Sequence, residues 1–432
     1  MTTGFSLFVK SLAANTARLN SGNPSSVGKL TLVLGNESAD LDSMVSSISL
    51  AYTLTQPGEI PAIPVINTNR TDMALRPDCN FLLSTTLQTS GASIQDLTFI
   101  DDFDLPSVIR HYEAAENYVV PGELEIWLAD HNAPASRQRY LEPFVKGIVD
   151  HHVDEGRCLM AKTRIIDMVG SCTSLVGEMI RDKEEHIDPV LAKMILAPIL
   201  LDTADLSPAA MKATDKDRAC VSWLFPQVQW AEMSASSNNK DTDEILTLDV
   251  QNTTELFKTL DKLKGQVSHL SSRDLLRKDY KQWQVVDLSG STWNVGISSV
   301  GYRLRKWIKR DGQAAIVDAV DRWIKEQGLD IALVMAHGKA KDKKHGVKVY
   351  GRDLVVVFSK DRKNRSQSIA DGLAKSDLNL VPFVGTQDTE MIRFYSQLKT
   401  EASRKQVFPV VKQVIESDRQ VNIDDEKVQY KD

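Results

Sequence analysis

Three apolar runs of strand length each stop at a cluster of acids, amides and imidazoles, and few folds accommodate that arrangement. Residues 30–34 lead into Gly35-Asn36-Glu37-Ser38-Ala39-Asp40-Leu41-Asp42-Ser43. Residues 125–129 lead into Asp130-His131-Asn132, and 147–149 into Asp150-His151-His152. A fourth run, 195–201, ends in Asp202-Thr203. In an open parallel sheet the carboxyl ends of the strands share one edge, so such groups meet there however far apart they lie in sequence. Carboxylates and imidazoles crowded at that edge repel one another and resist desolvation unless a cation sits among them. A divalent metal, present as a pair, is the expected answer.

The segments between these runs alternate with helical patterns. Residues 43–55 read as a helix capped by Ser43, and a helical segment near 76–86 separates short strands at 64–68 and 97–101. Gly170-Ser171-Cys172-Thr173-Ser174 opens a helix running to about Arg181, and a helix over 188–199 delivers the chain to Asp202. The alternation predicts an α/β fold whose amino-terminal parallel sheet is covered by helices on both faces. The stretch 234–246 is polar and aperiodic and reads as a linker. Beyond it, helical segments at 254–270 and strands at 284–288, 293–298, 331–336 and 353–358 form a smaller α/β unit. The expected layout is an extension over 1–27, a catalytic domain over 28–233, the linker, a second domain over 247–415, and an acidic tail over 416–432. A chain of 432 residues suits two domains.

Several classes are set aside by composition. Lys and Arg number 52 against 58 Asp and Glu, a net charge of −6, so a nucleic-acid partner is not expected. No apolar stretch approaches 18 residues, so no membrane span or membrane partner is expected either. The cysteines, at 79, 158, 172 and 220, form no C-x-x-C pair, which speaks against a zinc cage or a disulfide framework and suits a reducing compartment. The first 36 residues lack Asp and Glu, as in a mitochondrial presequence. A short amphipathic helix over 5–19, packed on the first domain, explains the same composition. A cytoplasmic monomer is expected, with a mitochondrial pool as the alternative address.

The chemistry follows from the clusters. On an extended stretch Asp40 and Asp42 point the same way and reach one ion or two neighbouring ions; a solvated loop with an acid at a helix start reads the same in sequence. Adjacent histidines leaving a buried strand need partners for their nitrogens. A ligand set rich in carboxylate, poor in imidazole and without thiolate favours magnesium, manganese or cobalt over a structural zinc. Two such ions about 4 Å apart clamp a phosphoryl group and convert a bridging water to hydroxide. Hydrolysis at phosphorus is the implied reaction. Residues 336–365 hold ten Lys or Arg against three Asp, net +7, and a localised positive field of this kind holds polyanions. His337, Lys339 and His345 in this stretch are candidate substrate contacts, as is a second basic cluster at Arg404 and Lys405. Gly346 and Gly351 have the spacing of a P-loop, but Arg352-Asp353 replace its Lys-Ser/Thr.

Together the motifs resemble the DHH phosphoesterase superfamily, whose Asp-His-His stands here as Asp150-His151-His152. The linker and second unit resemble its DHHA2 branch, which holds family II inorganic pyrophosphatases, fungal-type cytosolic exopolyphosphatases and prune-type proteins. The likeness runs from about residue 28 to 415. It implies that Asp130 bridges two ions, that Asp40 completes one site, and that Asp42, His151 and Asp202 complete the other. It implies that His152 faces the phosphate, that Lys281, Arg404 and Lys405 grip it, and that Asp101 and Asp102 stand behind the ligands.

Asn36 replaces the metal-binding histidine with which pyrophosphatases of the family begin this motif. An amide oxygen is the weaker and harder ligand, so one ion is expected to bind less tightly and to tolerate magnesium. The motifs are nearest to those of exopolyphosphatases, whose substrate is inorganic polyphosphate. The alternatives are an inorganic pyrophosphatase, a phosphodiesterase acting on short nucleotides, or a catalytically weak prune-like interaction protein.

Overall fold

The computed structural model describes residues 4–20, 29–55, 61–115, 123–230, 233–235, 246–248, 252–341 and 348–418. The chain divides into two compact units, Met1–Gln266 and Val267–Asp432.

In the first unit, α1 (Gly4–Ser11) and α2 (Asn15–Asn20) precede β1 (Lys29–Leu34), α3 (Leu41–Leu54), β2 (Ile63–Ile66) and α4 (Pro77–Thr89). Then follow β3 (Thr98–Phe99), α5 (Leu105–Ala115), β4 (Glu123–Ala129), β5 (Val145–Asp150), β6 (Thr163–Ile166) and α6 (Cys172–Arg181). The unit ends with α7 (Pro189–Asp202), α8 (Asp215–Leu224), a strand pair β7 (Met233–Ala235) and β8 (Leu246–Leu248), and α9 (Thr253–Lys264). The six main strands lie in the order β3-β2-β1-β4-β5-β6, all parallel. Both faces are buried: Leu30, Leu32 and Leu34 pack with α5, while Val33 faces the core shared by α3, α4, α6 and α7. Strands covered on both faces read as unbroken apolar runs, which is why they stand out in the sequence. The strand order reverses between β1 and β4, and the loops after these two strands open onto that switch point.

Several expectations change. The helix expected from Ser43 begins at Leu41, with Asp40 as its cap: the Asp40 side chain accepts from Ser43 N at 3.1 Å. Asp42 therefore sits in the first helical turn, and the two acids do not share an extended stretch. The helix expected to deliver the chain to Asp202 is present and runs on to Asp202 itself, taking in the whole of the run 195–201. The boundary between units falls at Gln266, after the expected linker, because Leu256, Leu260 and Leu263 of α9 are buried in the first unit's core. Within that linker, residues 236–245 lie outside the described set. The amino-terminal helix packs as an amphipathic segment: Phe5, Phe8 and Val9 are buried in the same core, and Phe5 meets Tyr52 edge-on at 5.4 Å.

The second unit holds α10 (Ser272–Lys278), β9 (Tyr280–Val286), β10 (Thr292–Val300), α11 (Leu304–Asp311), α12 (Gln313–Gln327), β11 (Ile331–Lys341) and β12 (Lys348–Phe358). It is completed by α13 (Lys363–Ala374), β13 (Leu380–Pro382), β14 (Ile392–Gln397) and α14 (Arg404–Ser417). Its sheet runs β13-β14-β12-β11-β10-β9, with only β10 and β11 parallel. Trp293, Ile297, Leu333, Val356 and Tyr395 of that sheet pack with α13 and α14. Of the expected tail, residues 419–432 lie outside the described set. Among the described residues, no helix is long and apolar enough to cross a membrane.

Candidate metal centre

The loops after β1 and β4 meet at the switch point through Asn36 and Asp130. Asn36 Nδ2 donates to Asp130 Oδ2 at 2.6 Å and to the Asp130 carbonyl at 3.1 Å. The amide oxygen of Asn36 accepts from Ser38 N and Ala39 N, closing its own loop. Donors on one side and acceptors on the other leave a single amide orientation. The oxygen expected to be a weak metal ligand is thus turned away, and Asn36 holds Asp130 instead. Asp130 has a φ of +63°, an uncommon conformation for a residue with a side chain, of the kind that persists where function requires it.

Asp130 is buried, and its Oδ1 has no hydrogen-bond donor. Burial, and then the charge of Asp42, push its carboxyl up to about 8. A buried carboxylate oxygen without a donor is costly, and a cation removes the cost. His151 Nε2 stands 3.2 Å from that oxygen and 3.7 Å from Asp42 Oδ2. The ring's Nδ1 lies 3.0 Å from the Val169 carbonyl, which sets the tautomer and leaves the lone pair on Nε2. Asp130, His151 and His152 offer ligand atoms within 4.8 Å of one another. The donor chemistry fits a divalent cation.

Asp150 organises the histidines. Its Oδ1 accepts from His151 N at 2.8 Å and lies 2.7 Å from His152 Nδ1, while Oδ2 accepts from Asn132 Nδ2 at 2.6 Å. Burial alone would raise this carboxyl, but the hydrogen bond and charge of His152 hold it well below the carboxylate range. Asp42 is held on its other side. Its oxygens accept from Cys172 N and Thr173 N in the first turn of α6, at 2.7 and 2.9 Å, and from Ser171 Oγ at 2.6 Å. A carboxylate there meets the positive end of the helix. Gly170 precedes that turn because a Cβ would fall 2.5 Å from the Thr203 methyl. Asp202, the last residue of α7, lies 3.9 Å from Lys264 Nζ, and desolvation raises its carboxyl against the pull of that lysine. The structure thus gathers Asp130, His151 and His152 tightly, with Asp42 beside them. Asp40 and Asp202 do not join that group. Asp101 and Asp102 are taken up by Arg70, whose backbone N donates to Asp101 Oδ1 and whose Nε donates to Asp102 Oδ1 at 3.0 Å.

The expected substrate residues belong to the second unit. Lys281 lies on β9 and is half-buried; Lys339 on β11 and Lys405 on α14 are exposed. His337 Nε2 lies 3.3 Å from Ser299 Oγ, and Arg404 Nη2 donates to Asp279 Oδ1 at 2.7 Å. His345 and the neighbouring Lys343 and Lys344 lie outside the described residues. Two groups were not singled out in the sequence. Arg352 pairs in register with His337, rests over the Tyr350 ring at 5.4 Å and donates from Nε to the Thr400 carbonyl at 2.7 Å. Lys264 approaches the acids of the first unit. The rejected P-loop spacing around Gly351 was the signal for Arg352; nothing in the sequence marks Lys264.

Comparison with known proteins places this geometry in a family. The DHHA2 domain matches residues 258–414. A Schizosaccharomyces pombe protein named "Putative exopolyphosphatase" is 32% identical over 415 residues, covering 91% of this chain and 93% of its own. The rat "Exopolyphosphatase PRUNE1" is 27% identical over 390 residues, covering 89% of this chain and 75% of its own. Among solved structures, the Methanococcus jannaschii "putative family II inorganic pyrophosphatase" is similar in fold, with a TM-score of 0.56 and 18% identity over 89% of this chain and 99% of that one. With a third of its residues shared with a relative that it spans nearly end to end, the chain belongs to the DHHA2 branch of the DHH phosphoesterase superfamily.

Proposed function

We propose that the chain is a metal-dependent phosphoanhydride hydrolase, and specifically an exopolyphosphatase that releases orthophosphate from the end of inorganic polyphosphate. The observation that carries this reading is the buried Asp130 Oδ1 without a donor, 3.2 Å from the Nε2 of a histidine whose other nitrogen is engaged. The names of the relatives in S. pombe and rat support the substrate class.

Asp130, Asp42, His151 and Asp202 would hold one divalent cation, magnesium or manganese, and Asp40 would hold a second with Asp130. When bound, the ions neutralise phosphoryl oxygens and make an attacking water more acidic. The chain's own residues do the rest. Asp150 fixes the Nδ1–H tautomer of His152, so that Nε2 exchanges the proton, and it stabilises the imidazolium when that nitrogen is protonated. Protonated at Nε2, His152 donates to a phosphoryl oxygen. Asn36 keeps Asp130 in its left-handed conformation with one oxygen aimed at the cation. In the second unit, Lys281, His337, Lys339, Arg404 and Lys405 bind the anionic chain, Arg404 being oriented by Asp279.

The test is phosphate release in magnesium or manganese, with long-chain polyphosphate, pyrophosphate, ATP and a cyclic nucleotide compared in parallel. Release from polyphosphate with little from pyrophosphate is expected. Pyrophosphate or a cyclic nucleotide as the best substrate overturns the specific reading. No release from any of them, in several metals, overturns the hydrolase.

A further inference from the structure

Strands β11 and β12 outrun the sheet that holds them. β10 pairs with β11 only as far as Ala336, and β14 with β12 only from Arg352. Past those residues the two strands pair, among the described residues, only with each other, through Gly338–Gly351, Lys339–Tyr350, Ala340–Val349 and Lys341–Lys348. At about 3.4 Å per residue this ribbon reaches about 14 Å beyond His337. A lone two-stranded ribbon is marginal in water, and this one is braced at its root. Gly338 has a φ of +141°, and a Cβ at Gly351 would collide with Arg303 Nη1. The paired glycines let the Arg303 side chain cross one face, its Nε donating to Asp353 Oδ2 at 3.1 Å and its Nη1 to the Gly338 carbonyl at 3.4 Å. Asp353 neutralises that arginine.

The opposite face keeps its charge. His337 and Arg352 flank the Tyr350 ring, at 6.1 and 5.4 Å, and strand alternation puts Lys339 and Lys348 on the same side. Both lysines are exposed, and neither has an ion pair among the described residues. No acid occurs in 337–341 or 348–352. Lys341 stands opposite Lys348, a like-charge pairing that costs stability unless an anion lies across it. The stripe continues to the start of α14, because Arg352 Nε donates to the Thr400 carbonyl at 2.7 Å, just before Ser403 caps that helix.

We propose that this face of the ribbon is a distal subsite for polyphosphate, holding the phosphates beyond those gripped at Arg404 and Lys405 and so setting the preference for long chains. The proposal rests on the exopolyphosphatase reading above. Cations recurring about every 7 Å along one face suit an extended chain of charges. A single-stranded nucleic acid would call for stacking platforms along the same path, and Tyr350 is the one Phe, Trp or Tyr in these two stretches. Lysines that only keep a surface solvated have no preference for chain length, which separates the two roles.

The test is titration calorimetry of the full-length protein in EDTA, so that binding is read apart from turnover, with long-chain polyphosphate, tripolyphosphate and oligothymidylate. Lys339→Gln/Lys348→Gln should weaken long-chain polyphosphate about tenfold, about threefold for each exposed contact, and tripolyphosphate less than about twofold. Lys339→Arg/Lys348→Arg and Lys375→Gln, an exposed control at the end of α13, should bind as wild type. Long-chain affinity unchanged by loss of the two charges overturns the proposal. An equal loss for tripolyphosphate, or a wild type that binds no polyphosphate, does the same. Oligothymidylate bound as tightly as polyphosphate, and weakened by the same substitutions, overturns it in favour of a nucleic-acid surface. Phosphate release in magnesium, assayed in parallel, judges the exopolyphosphatase reading separately: a wild type that binds long chains through these lysines without hydrolysing them overturns that reading and leaves the binding site standing.

Discussion

Asn36 Nδ2 donates to Asp130 Oδ2 across the point where the order of the first sheet reverses, at 2.6 Å. Through this bond Asn36 holds a candidate metal ligand. Asn36→His exchanges this donor for an imidazole whose lone pair can face the metal. Calorimetry should show one Mn2+ site bound more tightly, with preference shifted from magnesium to manganese or cobalt. Unchanged metal preference would remove Asn36 as the determinant.

Asp130 is expected to trade stability for function. Its carboxyl is pushed up to about 8 by burial and by Asp42, above the ordinary value near 3.9. As pH rises through about 4 the unfolded chain loses this proton first, so the metal-free protein loses stability from about pH 4 to about pH 8. Asp130→Asn keeps the acceptor for Asn36 and removes the buried charge. In EDTA at pH 7.5 the variant should melt several degrees above wild type while losing all turnover. The gap should close as pH falls toward 5, or when wild type is given saturating metal. A lower melting temperature for the variant would show that the buried charge is compensated.

Asp150 acts through the histidines. Asp150→Asn keeps an oxygen for one donor but weakens the hold on His152. Turnover should fall about 10- to 100-fold with KM changed little, and two Mn2+ ions should still bind. Loss of metal with loss of rate would make Asp150 a structural support of the ligands instead.

Stability of the second unit should have its own acid limit. Asp287 is buried, which alone would raise its carboxyl. Hydrogen bonds from Ser289, from Trp293 Nε1 at 3.0 Å and from Ser291 outweigh this and lower it to about 2. A carboxylate held below its unfolded value stabilises fully above about pH 4 and loses that contribution as pH falls toward 2. Between pH 4 and 2 the melting temperature of Asp287→Asn should therefore fall less steeply than that of wild type. Parallel curves would assign the acid sensitivity to other groups.

The main strands were legible because burial on both faces makes them continuous apolar runs, and the acids stood out because each interrupts such a run. Polarity at helix ends was not legible. Ser43 looked like a cap, whereas Asp40 performs that role, and the helix expected over 188–199 runs on to Asp202 because its unbroken apolar composition carries no stop signal before that residue. Residues whose roles depend on packing between distant elements left no local mark. Lys264 reads as one lysine in a charged helix until three leucines set α9 against α7. Strands β13 and β14 and the register that pairs His337 with Arg352 were hidden for the same reason.

Arg352 is the residue that this register sets beside His337. Arg303, Arg362 and Arg404 in the same unit each face a carboxylate, from Asp353, Asp330 and Asp279. Arg352 is instead held by an aromatic ring and a backbone carbonyl, and burial presses its guanidinium toward the neutral form. A half-buried guanidinium that faces no carboxylate among the described residues is poised for an external anion, and its Nη groups can bind phosphate oxygens in pairs. If polyphosphate is the substrate, Arg352→Ala should raise KM for long chains about tenfold, the loss of one charge-assisted contact, with kcat little changed. Arg352→Lys should recover part of the loss, as a point charge without the fork. Tripolyphosphate, which makes fewer contacts, should be affected less. An equal loss of kcat on every substrate would place Arg352 at the reacting phosphate instead of along the chain.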